Sequence, residues 1–82
     1  MDEDGRRSLH QLIVRAVNED ALATTAIEEI IMGLDRSGSA DDVAQSLQMI
    51  LTIGGDELHK RIITRLQEND QHGRQWPMIA GS

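Results

Sequence analysis

Apolar residues recur along the chain at intervals of three and four, the spacing that places them on one face of an α-helix. The first such series contains Leu9, Leu12, Ile13, Ala16 and Val17. Asp4 or Ser8 can cap its start, and Asn18 can stop it. The pattern therefore predicts a first helix that begins at Ser8, after a frayed segment over residues 1–7.

A second helix is predicted directly after Asn18. Asp20 can cap it, or the capping-box pair Thr25 and Glu28 can start it later. Its inward positions are Ala23, Ala26, Ile27, Ile30, Ile31 and Leu34. Gly33 lies on the same face, where glycine costs about 1 kcal/mol relative to alanine unless another backbone approaches closely. Gly38 is placed to end the helix.

Apolar spacing and capping residues predict two further helices. Ser39 supplies the cap of the third helix, and Asp41 and Asp42 supply its acidic first turn. Its inward positions are Val43, Ala44, Leu47, Ile50 and Leu51, and Gly54-Gly55 ends it. Asp56 is the predicted cap of the fourth helix, whose inward positions are Leu58, Ile62, Ile63 and Leu66. Its outer face offers two acid–base pairs at i, i+4, Asp56 with Lys60 and Glu57 with Arg61.

The predicted fold class is all-α, a small bundle of four short helices with a flexible C-terminal tail. The helical domain covers residues 8–68, and residues 69–82 form a linker and an apolar tail. A chain of 82 residues buries too little surface to be very stable alone. Met32 and Met49 also widen the apolar stripes of the second and third helices. We therefore expect a homodimer, with a monomer whose four helices suffice as the alternative.

Composition limits the setting of the protein. The absence of cysteine excludes disulfides and thiolate zinc sites, and it fits a reducing compartment. No apolar run approaches the roughly 20 residues of a membrane span, and the acidic N-terminus is unlike a signal peptide. We expect a cytoplasmic protein with no membrane partner, of bacterial or phage origin. The net charge of −6 disfavours nucleic acid as a partner, because phosphate repels an acidic surface.

The residue types that carry catalysis or bind metals are not grouped in the sequence. His10, His59 and His72 lie in different segments without the spacing of a helical zinc pair, and they are interpreted as solvated. The adjacent acids Glu28-Glu29 and Asp41-Asp42 point about 100° apart on a helix, so neither pair converges on one atom. Gly54-Gly55 lacks the spacing of a phosphate loop. We predict no catalytic residue, no metal site and no cofactor.

Trp76 is the only aromatic residue of the chain. It is followed by Pro77, Met78 and Ile79, and a buried tryptophan ring removes about 150–250 Å² from water. The segment is therefore predicted to be a partner-binding anchor. Three placements stay open: inserted into a partner or a second copy, folded back on its own domain, or disordered.

The predicted partner surface combines this anchor with acidic side chains of the N-terminal half, namely Glu28 and Glu29 with Glu19 and Asp35. The predicted function is that of a small non-enzymatic regulatory or adaptor protein that binds another protein of unknown identity. An acidic phage-type inhibitor that blocks the basic groove of a nucleic-acid-binding enzyme is one alternative.

A DNA-binding transcriptional regulator is the other alternative. The third and fourth helices could form a helix-turn-helix, with Lys60, Arg61 and Arg65 facing DNA. Asp56 and Glu57 oppose this interpretation, since they lie at the start of the fourth helix, where acids repel phosphate.

The run from Leu9 to Leu51 resembles the small enteric regulators of biofilm development and acid resistance. The shared pattern is a helix with Leu9, Leu12, Ile13 and Val17, a helix with Ile27, Ile30, Ile31 and Leu34, and a helix with Val43, Leu47, Ile50 and Leu51. The polar link Asp35 to Asp42 joins the last two. The resemblance covers about half of the chain and omits the fourth helix and the tail. It implies a dimeric helical connector that modulates signalling or transcription, with no catalytic residue.

Overall fold

A computed structural model describes residues 2–69 of the chain. Within that range the chain forms four α-helices and one π-helical segment, and it contains no strand. The α-helices are α1 (Glu3–Val17), α2 (Ala21–Arg36), α3 (Ala40–Met49) and α4 (Asp56–Asn69), and the π-helical segment is Ile50–Gly54. The all-α prediction is confirmed for this part of the chain. Of the predicted linker and tail over residues 69–82, Asn69 is the last residue of α4, and residues 70–82 lie outside the described residues.

The first helix begins five residues earlier than the apolar pattern predicts. Asp2 is its N-cap, and its carboxylate accepts a hydrogen bond of 2.7 Å from the backbone N–H of Gly5. Glu3 and Asp4 follow in the first turn, where they interact favourably with the positive end of the helix dipole. Residues 3–7 are therefore helical rather than frayed, and neither Asp4 nor Ser8 is the cap. Apolar spacing cannot detect these first turns, because they are polar.

Asp20 is the N-cap of α2, which confirms one of the two starts predicted for this helix. Its carboxylate accepts hydrogen bonds from the backbone N–H groups of Leu22 and Ala23, so the later start at Thr25 is wrong. Gly38 follows the last turn of α2 with a φ of 77°, as predicted for a glycine at the helix end. Ser39 is the N-cap of α3, although its side chain makes no capping hydrogen bond.

The predicted third helix changes its geometry before it ends. From Ile50 the backbone widens into the π-helical segment, which ends at Gly54, and Gly55 has a φ of 91°. Such segments are rare and occur frequently at functional sites. Asp56 is the first residue of α4 rather than its cap, because the carbonyl of Gly55 accepts the first helical hydrogen bond from His59.

The core is aliphatic and draws residues from every element. Its buried members are Leu9, Ile13, Ala16, Ala23, Ile27, Ile31, Val43, Leu47, Ile50, Leu58, Ile62, Ile63 and Leu66. All of them are positions that the apolar spacing predicts to face inward. Val17 and Ala44 were also predicted to face inward, but both are exposed.

The π-helical segment joins α3 to α4 and contacts both of them as well as α1. Its last residue, Gly54, is enclosed by side chains from two helices. A Cβ atom at Gly54 would lie 2.5 Å from Cδ2 of Leu58 and 3.1 Å from Cγ2 of Ile13. Gly33, by contrast, has no atom within 4 Å of the position that a Cβ would take.

The surroundings of these two glycines predict that substitution by alanine changes the free energy of unfolding in opposite directions. Gly54→Ala is expected to lower the free energy of unfolding by about 1–3 kcal/mol, because an overpacked site must displace its neighbours. Gly33→Ala is the matched control and is expected to raise it by about 0.5–1 kcal/mol, because it only restores helix propensity. Urea unfolding followed by circular dichroism measures both. Equal effects of the two substitutions would contradict the close approach of Ile13 and Leu58 to Gly54.

Candidate interaction surface

Two adjoining concavities lie where the end of α1, the start of α2 and the outer side of α4 meet. One has a volume of about 210 Å³ and is lined by Ala16, Val17, Glu19, Gly54, Glu57, Leu58 and Arg61. The other has a volume of about 320 Å³ and is lined by Glu19, Ala21, Thr24, Thr25, Arg61 and Arg65. Because they share Glu19 and Arg61, we treat them as one surface, the α1–α4 groove.

A third concavity, of about 350 Å³, is formed by the consecutive residues Gly38, Ser39, Ala40, Asp41 and Asp42. It brings together no separate elements, and its acids are the first turn of α3. The α1–α4 groove differs because three helices and the end of the π-helical segment build it. It is therefore the better candidate for a functional surface.

The groove has a mixed polar and apolar lining. Val17 contributes an apolar side chain that is half-exposed, whereas Leu58 is buried and contributes little surface. Glu19, Glu57 and Arg61 line the same concavity, where polar atoms predominate. A surface of mixed polarity is common at interfaces between proteins that do not associate permanently.

The turn that carries Glu19 into the rim has a strained backbone. After α1, the N–H of Asp20 donates to the carbonyl of Arg15, and the N–H of Glu19 donates to that of Ala16. This is a Schellman motif, in which the residue at the Glu19 position adopts the left-handed conformation that favours glycine. Glu19 has a φ of 67° and is the only non-glycine residue with positive φ among the described residues.

The same motif ends α2, and there the chain uses glycine. The N–H of Ser39 donates to the carbonyl of Leu34, and the N–H of Gly38 donates to that of Asp35. Gly38 therefore occupies the position that Glu19 occupies after α1. A non-glycine residue in the left-handed region costs roughly 1–2 kcal/mol. The chain thus places glycine at the left-handed position after α2 but glutamate at the same position after α1.

Asp20 fixes the turn beside the groove. Besides capping α2, its carboxylate accepts hydrogen bonds from Nε of Arg15 at 3.0 Å and from Nη2 at 2.8 Å. The hydrogen bond from Arg15, followed by that from the backbone of Ala23, lowers the pKa of Asp20 below its ordinary value of 3.8. The junction of α1 and α2 is therefore held by a charged side-chain pair as well as by the Schellman motif.

Glu28 lies in the interior and not on the predicted acidic surface. It is 2% exposed, and its Oε2 accepts a hydrogen bond of 2.6 Å from Nε of Arg65. Charge-assisted hydrogen bonds of this kind join α2 to α4 at the edge of the core. Glu28, one of the predicted partner-binding residues, is therefore buried and pairs with Arg65 within the described part of the chain.

The basic stripe on α4 is accompanied by acids along its length. Arg65 pairs with Glu28, and Nζ of Lys60 lies 3.3 Å from Oδ2 of Asp56, one of the two predicted i, i+4 pairs. Arg61 lies in the groove with Glu19 and Glu57. The structure thus assigns different surroundings to the three bases that the DNA-binding alternative groups together.

Glu29 and Asp35, two other residues of the predicted acidic surface, do not line the groove. Glu29 is exposed on α2, and Asp35 is partly buried near its end. Trp76, Pro77, Met78 and Ile79 lie outside the described residues. Of the predicted acidic set, the groove therefore contains only Glu19.

Three exposed apolar side chains were not recognised from the sequence. Val14 and Val17 are 43% and 50% exposed near the end of α1, and Leu22 is 78% exposed in the first turn of α2. Val17 belongs to the apolar series of its helix, but it is the last residue, where the neighbouring elements no longer cover it. Leu22 directly follows Ala21, which lines the groove.

His59 is buried, which contradicts its interpretation as a solvated residue. It is 1% exposed, and its Nε2 has no hydrogen-bond partner among the described residues. The signal was present in the sequence, since His59 precedes Ile62, Ile63 and Leu66 by three, four and seven positions. Burial lowers the pKa of His59 from its ordinary value of 6.5, although the nearby Asp56 carboxylate opposes the shift.

Residues 2–69 were also searched for a metal-binding cluster and for a membrane-spanning helix. No group of three or more histidine, aspartate or glutamate side chains there could hold a metal ion. No helix in that range has the length and apolar character that crossing a bilayer requires.

Comparison with protein-family models, with curated proteins and with solved structures gives no match to this chain. The resemblance to the enteric regulators therefore remains an expectation from the sequence. The function must be inferred from the geometry of the groove.

The two arginines of the groove predict different responses to the same substitution. Arg65→Gln is expected to lower the free energy of unfolding by about 1–3 kcal/mol, because it removes a charged hydrogen bond from the buried Glu28 carboxylate. Arg61→Gln is expected to change it by less than about 0.5 kcal/mol, since a surface substitution away from such contacts is nearly neutral. Urea titration compares the two variants. Equal losses would contradict the structural role assigned to Arg65.

Burial of His59 predicts that stability falls as the solution becomes mildly acidic. The folded-state pKa lies below 6.5, so the unfolded chain binds the proton first. This contribution to stability is fully present above pH 6.5 and is lost as the pH falls toward the folded-state pKa. The expected slope is at most about 1.4 kcal/mol per pH unit.

The test compares the free energy of unfolding at neutral and mildly acidic pH for the wild type, His59→Leu and His10→Gln. The wild type and the His10→Gln control, which changes an exposed histidine, are expected to lose stability. His59→Leu is expected to lose much less. A wild type with the same free energy of unfolding at both pH values would refute the prediction.

Proposed function

We propose that this protein is a small non-enzymatic regulator or adaptor that binds another protein through the α1–α4 groove. The observation that carries the proposal is the left-handed backbone of Glu19. Residues held in sparsely populated backbone regions cluster at functional sites, where their side chains have a role that offsets the strain. Here the strained residue lines a groove built from three helices.

The chemistry of the groove supports a protein partner. Its lining offers the half-exposed Val17 side chain to an apolar group, while Arg61 offers a planar group with several hydrogen-bond donors. Arginine is among the residues that contribute most to binding energy at protein interfaces. Arg61 also makes no ion pair with any residue in the described range that would occupy it.

The rigid turn at the end of α1 adds to this support. The Schellman hydrogen bonds and the Arg15–Asp20 pair hold the backbone of Glu19 in place before any partner arrives. A preorganised backbone loses less conformational entropy on binding than a mobile one. The Trp76 segment stays a second, sequence-based candidate anchor.

The DNA-binding alternative has less support than the protein-binding proposal. Affinity for DNA comes largely from lysine and arginine side chains that neutralise phosphates. Arg65 already donates to Glu28, Lys60 lies beside Asp56, and Arg61 shares its groove with two carboxylates. A phosphate backbone that approached this stripe would also approach these acids.

The left-handed backbone of Glu19 predicts that replacing this residue by glycine raises stability and weakens partner binding. Glu19→Gly is expected to raise the free energy of unfolding by about 0.5–1 kcal/mol, because glycine adopts positive φ without strain. The same variant is expected to recover less partner from a native lysate, since it removes a carboxylate from the groove. Chemical unfolding and quantitative affinity recovery measure the two effects.

Two variants make the binding result specific. Glu19→Asn keeps a residue that tolerates the left-handed region, so it should reduce recovery without a loss of stability. Glu29→Gln removes an exposed carboxylate outside the groove and should leave recovery unchanged. Recovery that depends on Glu29 and not on Glu19 would refute the groove as the binding site and would favour the outer face of α2. A duplex DNA that is retarded at low salt, and released when Arg61 becomes Ala, would favour the DNA-binding alternative.

A further inference from the structure

We infer that mild acid inactivates the α1–α4 groove, because protonation of the buried His59 opens the first turn of α4, whose residues line the groove. This regulation rests on the proposed function, since it concerns the same surface. The opening of the turn, however, is measurable without any partner. It also differs from the general loss of stability predicted above, because it is confined to one turn of one helix.

His59 lies where a positive charge has no acceptor. It is 1% exposed, and its Nε2 has no hydrogen-bond partner among the described residues. A protonated imidazole carries an N–H on both ring nitrogens, so the proton on Nε2 would stay unpaired within the described part of the chain. A buried polar group without a partner costs free energy, and an isolated buried charge costs more. Acid therefore favours conformations in which the ring of His59 reaches water.

The charged groups around His59 do not compensate for this burial. The buried side chains of α1, α3 and the π-helical segment carry no charge. On α2 the buried carboxylate is that of Glu28, which is bonded to Arg65. On α4 the carboxylate of Asp56 raises the pKa of His59, but it is exposed and pairs with Lys60, and burial has the larger effect.

The first turn of α4, residues 56–59, is the part of this helix that opens most easily. Asp2 and Asp20 cap α1 and α2 through their side chains, whereas Gly55 precedes α4 and has no side chain for this role. Opening the turn exposes His59 together with Leu58. Beyond the turn the helix has three further buried residues, Ile62, Ile63 and Leu66. The His59 ring can therefore reach water while the rest of α4 stays in the core.

The groove depends on the same turn. Glu57 and Leu58 belong to the turn, and both line the groove. Gly54 and Arg61, which also line it, lie within two positions of the turn in the sequence. An open turn therefore removes part of the groove lining, and a protein bound there loses the contacts that these residues make.

Nuclear magnetic resonance of the full chain between about pH 7.5 and about pH 5 tests the inference. The Cα chemical shifts of residues 56–59 are expected to move from helical toward disordered values, while those of α2 stay helical. The ratio of open to closed turn should rise by up to about tenfold per pH unit as the pH falls from 6.5 toward the folded-state pKa of His59. His59→Leu should keep the turn helical, and His10→Gln should behave as the wild type.

Two carboxylates of the same turn provide a matched pair of variants. Asp56→Asn removes the charge that favours protonation of His59, so the opening should require a lower pH. Glu57→Gln removes an equal charge from the same turn, so the effect on the helix dipole is common to both variants. The midpoint of opening should lie at lower pH for Asp56→Asn than for Glu57→Gln. Both positions are exposed, so this comparison tests the inference even if His59→Leu does not fold.

Helical shifts that persist in residues 56–59 over the whole pH range would overturn the inference. A loss of helix in α2 at the same pH as in α4 would also overturn it, because the whole domain would then unfold at once.

Partner recovery from a native lysate separates this failure from a failure of the proposed function. Recovery at neutral pH that does not depend on Glu19 would refute the proposed function, and the regulation with it. Recovery that depends on Glu19 but is equal at neutral and mildly acidic pH would overturn the inference alone. Support requires that the wild type recovers less partner in mild acid and that His59→Leu does not.

Discussion

The close approach of α1 to the π-helical segment at Gly54 is the constraint on which the rest of the structure depends. The segment contacts α1, α3 and α4, so its position sets where three helices lie. At its end, a methyl group on Gly54 would lie 2.5 Å from Cδ2 of Leu58 and 3.1 Å from Cγ2 of Ile13, so the Leu58 side chain would have to move. Gly54 also lines the α1–α4 groove. One glycine therefore belongs both to the packing of the core and to the surface beside it.

The ends of the helices determine the shape of the groove, as does the packing of the helices. α1 stops at a Schellman turn, which directs Glu19 over the side of α4, and Asp20 starts α2 one residue later. The Arg15–Asp20 pair then holds the turn rigid. Local hydrogen bonds between residues three to five apart thus determine a surface that also involves Arg61 and Arg65, about forty positions further along the chain.

Most of the fold could be predicted from the sequence, because helix periodicity and capping residues act locally. The thirteen buried apolar residues all belong to the predicted stripes, and Asp20, Gly38 and Ser39 mark helix ends as expected. The Glu28–Arg65 pair could not be predicted, since its partners lie 37 positions apart and meet only through the packing of α2 and α4. His59 was misjudged for a different reason: its position fits the buried face, but histidine is intermediate between the buried and the exposed residue types. The groove depends on a left-handed glutamate that no periodicity reveals.

Two local features that oppose stability lie on the same side of the molecule. Glu19 holds a backbone conformation that glycine would adopt more easily, and Leu22 exposes an apolar side chain to water three residues later. The matched turn after α2 uses Gly38, so the strain at Glu19 is not a requirement of the fold. Sequences depart from local rules mainly where a function requires it. That two such departures flank one groove is the main physical support for the proposal that this chain acts through the junction of α1, α2 and α4.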